Sequence, residues 1–63
     1  MSEDIWDNIL SKEEEVIMFT FSNLNEDEQT YVLAHLQKMV SEDGWHPAQI
    51  SSAKYALQIL SKQ

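Results

Sequence analysis

Residues 25–41 read NEDEQTYVLAHLQKMVS, and the fold class turns on this stretch. Asn25 followed three residues later by Glu28 is a capping box, in which each side chain can satisfy the other residue's free backbone amide at the start of a helix. Val32, Leu33, Leu36, Met39 and Val40 then recur at i, i+1, i+4, i+7 and i+8. That spacing puts them on one stripe of a helix and on no single face of a strand. It predicts an amphipathic helix over about residues 26–42. Gly44, the only glycine, follows Ser41-Glu42-Asp43 and can take the left-handed backbone that ends helices.

Downstream, His46-Pro47 restarts the chain, because proline at the first helical position needs no amide partner and arrives with a helical φ. Trp45 and Ile50 have the spacing of a hydrophobic staple. Ile50, Ala53, Leu57 and Leu60 repeat at 3-4-3 spacing, which predicts a last helix over about 47–61.

Upstream, the phase at 100° per residue, measured from Val16, places Ile5, Trp6, Ile9, Leu10, Ile17, Thr20, Phe21 and Leu24 in one arc from about −20° to 140°. The stripe does not slip at Ser11, and this favours one helix over about residues 3–22. Ser11-Lys12-Glu13-Glu14 has the pattern of a capping box and argues for a break there. A strand over Val16–Phe21 is the third option, since β-branched and aromatic residues cluster, but no partner strand exists to pair with it. With one Pro, one Gly and no Asn-Gly pair, hairpin signals are lacking, since the one Asp-Gly pair, Asp43-Gly44, follows a helical stripe and joins no two strand runs. The expected architecture is all-α: a small antiparallel three-helix bundle with helices at about 3–22, 26–42 and 47–61, the first helix broken near Ser11 on the competing reading, in one domain spanning residues 1–63.

Composition narrows the function classes. A chain of 63 residues, 43% hydrophobic, supports one modest core and gains much from a partner subunit. Without cysteine there is no disulfide, thiolate metal site or thiol nucleophile. No apolar run approaches the roughly 20 residues of a membrane span. The start Met1-Ser2-Glu3-Asp4 is acidic where an export signal would be basic, so a cytoplasmic location is expected.

Eleven acids against four lysines and no arginine give a net charge of −7. Such a chain repels nucleic acid and anionic membrane, whose binding is driven by Lys and Arg. The charge is uneven. Residues 1–31 hold nine acids and Lys12, while residues 32–63 hold two acids and three lysines. Most acids fall where helices would begin: Ser2-Glu3-Asp4, Ser11 to Glu15, and Asn25 to Glu28. Carboxylates there offset the helix dipole.

Apolar groups are left over once a single core is filled. On the last helix the inward stripe from Ile50 covers about 260° to 360°, yet Ala48, Tyr55, Ala56 and Ile59, with Ser52 among them, fall between about 140° and 240°. On the first helix Met18 and Phe19 lie off the main stripe, at about 200° and 300°. Met18, Phe19, Ala48, Ser52, Tyr55, Ala56 and Ile59 therefore form the candidate interface. The expected partner is a second copy, as a homodimer, or a larger protein. On this assignment Ile59→Glu leaves the fold intact and breaks association.

Catalytic chemistry is thin. His35, with Tyr31 one turn before it and Lys38 nearly one turn after, reads as a solvated flank with no nucleophile or pocket beside it. Glu42, Asp43 and His46 offer three ligand types around a glycine turn but match no metal motif. No catalytic residue, cofactor, metal or small-molecule substrate is expected, and the chain reads as a non-enzymatic protein-interaction module. The alternative is an acidic mimic that occupies a basic nucleic-acid-binding surface of another protein, with Glu13, Glu14, Glu15, Glu26, Asp27 and Glu28 standing in for phosphates.

Overall fold

The computed structural model describes residues 4–61 and contains four helices: α1 Asp4–Ile9, α2 Glu14–Ser22, α3 Glu26–Ser41 and α4 Pro47–Leu60. No strand occurs among the described residues, so Val16–Phe21 is helical. The all-α bundle expected from the sequence is present. The Ser2 cap of the first helix and the lysine at 62 lie outside the described residues.

The single helix expected over 3–22 is two helices, and the reason is local. The Ser11 hydroxyl donates to the Asn8 carbonyl at 2.7 Å and accepts from the Glu13 amide at 3.2 Å. Lys12 sits at φ 61°, a left-handed conformation that costs a non-glycine residue ~1–2 kcal/mol. Together these turn the chain between residues 10 and 13. Ser11 closes the end of α1 and does not cap α2, whose first flanking residue, Glu13, makes no side-chain cap. The unbroken apolar phase has a different origin from helical continuity. Both short helices rest on the same core, so each must aim its apolar side at it, and α1 packs directly on α2.

The capping box of α3 forms as the sequence predicts. The Glu28 amide donates to Asn25 Oδ1 at 2.8 Å, and the Asn25 amide donates to Glu28 Oε1 at 3.0 Å. Asn25→Ala should cost ~1 kcal/mol of stability, read as a lower urea midpoint with an unchanged slope. At the other end Gly44 takes φ 101°. A Cβ there would meet nothing within 4 Å, so backbone conformation, and not space, is what requires glycine. α4 starts on His46, whose imidazole Nδ1 accepts from the Ala48 amide at 3.1 Å while Gln49 Oε1 accepts from the His46 amide at 3.2 Å.

The core contains Ile9 of α1, Ile17 and Phe21 of α2, Val32, Leu36 and Met39 of α3, and Ala53, Ala56, Ile59 and Leu60 of α4. α4 packs against both α2 and α3. Its buried and half-buried residues accordingly cover an arc from about 140° to 360° by helical phase. Past the exposed first turn, only Ser51, Lys54 and Gln58 of the helix remain exposed, on a narrow outward strip that begins at Pro47. Gln29 of α3 fastens the next joint by donating Nε2–H bonds to the carbonyls of Phe21 at 3.0 Å and Leu24 at 3.2 Å. The Phe21 carbonyl also accepts from the Leu24 amide at 3.1 Å, so the Gln29 side chain adds a second donor at the end of α2 and one for the connecting Leu24 carbonyl. No helix among the described residues is long and apolar enough to cross a membrane.

Candidate interaction surface

The residues singled out from the sequence as an interface do not share one surface. Ala56 is fully buried and Ile59 is 5% exposed, and both belong to the core. Tyr55 and Ser52 are half-buried, and Ala48 is exposed in the first turn of α4. The second apolar face of α4 is therefore no outer face. A helix wedged between two neighbours buries most of its circumference, and Tyr55, Ala56 and Ile59 serve that packing. The small side chains at Ala53 and Ala56 sit where α4 meets its neighbours, consistent with close approach inside the subunit.

Met18 and Phe19 behave differently. α2 buries Ile17 and Phe21, half-buries Val16 and Thr20, and leaves the opposite arc exposed. On that arc Met18 is 38% and Phe19 72% exposed; of the large hydrophobics among the described residues only Tyr31, at 55%, joins them as exposed. Glu14 precedes Met18 by four residues and Glu15 precedes Phe19 by four, which places each carboxylate one turn from an apolar side chain on the same side of the helix. Beside them a shallow depression of about 530 Å³ is lined by Glu13, Glu14, Glu15 and Val16. At the C-terminal end the Phe19 carbonyl already accepts from Ser22 Oγ at 3.0 Å and Asn23 Nδ2 at 2.7 Å. What α2 offers to solvent is thus a thioether and a phenyl ring, bordered by carboxylates.

A second depression, of about 340 Å³, lies on the outward strip of α4 and is lined by Pro47, Ile50, Ser51 and Lys54. α4 carries no Asp or Glu from Pro47 to Leu60, so the only formal charge on this strip is the ammonium of Lys54.

Sequence reasoning missed an aromatic cluster around His35. The His35 ring centroid lies 4.7 Å from that of Trp6, 6.2 Å from Tyr31 in a stacked arrangement, and 5.7 Å from Trp45 edge to face. Trp6 and Tyr31 are themselves 6.4 Å apart. His35 is half-buried among these rings, not a solvated flank. The Trp45 ring is turned toward α3, with its indole N–H donating to Glu42 Oε1 at 3.4 Å. The Tyr31–His35 pair was visible as an i, i+4 spacing. The contributions of Trp6 and Trp45 come from remote parts of the chain and had no local signal. The cluster ties the short α1 and the 42–46 turn to α3.

Near the glycine turn, Glu42 accepts from the Trp45 indole and His46 caps α4. Among the described residues no three His, Asp or Glu side chains converge as a metal site would require. No family model matches this chain, and no curated protein or solved structure is significantly similar to it.

Proposed function

We propose that this chain is a non-enzymatic protein-docking module whose contact surface is the outward arc of α2, centred on Met18 and Phe19. The observation that carries this reading is the 72% exposure of Phe19 on a helix whose inward arc is already filled by Ile17 and Phe21. Large aromatic side chains left in water lose the burial that normally stabilises a fold, and they are the side chains that most often anchor protein contacts. Burial of an apolar anchor is scarcely screened by salt, whereas phosphate mimicry by Glu13–Glu15 would fade once the Debye length falls to a few ångströms.

Photo-crosslinking tests the reading. A photoreactive phenylalanine analogue at position 19 should give a discrete protein adduct in native extract, and the same group at Gln37, exposed on α3, should not. The adduct should survive irradiation at about 0.5 M salt, where screening leaves apolar contacts intact. Equal adducts at both positions would sink the proposal, and disappearance of the adduct in high salt would favour the mimic.

A further inference from the structure

We infer that the partner of the α2 face is a second copy of this chain, bound head to tail: Met18 and Phe19 of one copy dock on the α4 strip of Pro47, Ile50, Ser51 and Lys54 in the next. This rests on the docking role assigned above to α2 and names its occupant.

Three observations select this arrangement. The first is charge. A two-fold contact that set α2 against α2 would bring the acids at its two ends, Glu13, Glu14 and Glu15 at its start and Glu26 and Asp27 at the adjoining start of α3, against one another or against their own counterparts. Only Lys12 in residues 1–31 could offset them. Juxtaposed like charges oppose such a pairing. The α4 strip is the reverse case, with Lys54 and no acid on the helix.

The second observation is shape and chemistry. The 340 Å³ depression has an apolar wall in Pro47 and Ile50 and a cation at its rim in Lys54. Phe19 with Glu15 one turn away is the complementary set, a ring for the wall and a carboxylate for the ammonium. The third is topology. α2 and α4 pack on one another within the subunit, so a chain cannot lay Phe19 on its own α4 strip without unpacking its core. Two different patches meeting between copies form a heterologous contact, which leaves one free patch at each end and allows growth beyond a dimer. Two short helix faces make a small contact, and contacts below ~1,200 Å² belong to weak complexes, so assembly is expected to depend on concentration.

The experiment is sedimentation velocity over a concentration series on wild type, Phe19→Asp, Lys54→Glu and an equimolar mixture of the two variants. Both native side chains are exposed, and circular dichroism verifies that the variants stay folded. Wild type should grow past the dimer as concentration rises, and each variant alone should stay monomeric. The mixture should form a dimer and stop there, because the intact α4 strip of Phe19→Asp accepts the intact α2 face of Lys54→Glu and no second complementary pair remains. Self-association of Lys54→Glu alone would indicate an α2-to-α2 pairing and overturn the inference. A wild type that stays monomeric throughout also overturns it; if the position-19 crosslink then joins a different protein, the docking role of α2 stands and only the identity of the occupant is lost. Absence of any position-19 adduct removes the docking role itself.

Discussion

Ile59→Glu is expected to unfold this protein. Ile59 is 5% exposed within the core, and a glutamate there must lose its hydration among Ala53, Ala56 and Leu60 of its own helix and the side chains of α2 and α3. An uncompensated buried charge costs several kcal/mol, and the lost apolar contacts add ~2–5 kcal/mol on the scale of large-to-small core changes. A domain of this length has a total stability of roughly 3–9 kcal/mol at the usual per-residue values. The sum is of the same size as that whole stability. Far-UV circular dichroism should show loss of helix without denaturant, while Ile59→Val, which trims one methylene at ~0.5–1.5 kcal/mol, should remain folded. A helical, monomeric Ile59→Glu would mean that this side of α4 is surface after all. The sequence alone led to that opposite expectation, with Ile59 as an interface residue.

Leu36→Ala should be nearly as severe. Leu36 is fully buried at the centre of α3, flanked along its stripe by Val32 and Met39, which are buried as well. Removing most of its side chain leaves a cavity that neighbours on other helices cannot close without moving, at a cost of ~2–5 kcal/mol. With a urea slope near 1 kcal/mol/M for a chain this small, the midpoint moves by about 2–5 M. The variant should therefore lack a folded baseline or show a strongly shifted transition. A shift below about 0.5 M would mean that the site collapses around the smaller side chain. Phe19→Asp is the contrasting substitution: a large aromatic is lost, yet its exposure means that the fold should hardly register the change.

The difference between Phe19 and Ile59 shows what could be read before the tertiary structure. Both lie off the main apolar stripe of their helix. For α2 the inference from phase to exposure holds because the helices that touch α2 leave one arc of it uncovered, so a residue on the far side from the stripe has nothing to pack on. For α4 the same inference fails because α2 and α3 grip it from two sides, and two apolar faces are then one wide buried arc. Periodicity reports how much of a helix is apolar; it carries no information on how many neighbours will cover it.

The chain reversal at Ser11 follows the same logic. The break was signalled by the residues Ser11 to Glu14, and the continuous phase argued against it. Phase survived because α1 and α2 share a core, while the left-handed Lys12 and the two hydrogen bonds of the Ser11 hydroxyl turned the chain. His35 lies at the other extreme. Its half-burial depends on Trp6 in the first helix and Trp45 beyond the end of its own helix, and no local pattern joins them.

By itself the sequence determined the helices of the second half, their caps at Asn25 and His46, the glycine turn at Gly44 and the outward position of Met18 and Phe19. Each of these depends on residues within a turn or two of one another, where hydrogen-bond geometry and helical phase act directly. Only the tertiary structure decided that Ala56 and Ile59 lie inside and that His35 is enclosed by aromatic rings. Those outcomes depend on which elements touch, and contact between distant segments is settled by the joint packing of all four helices.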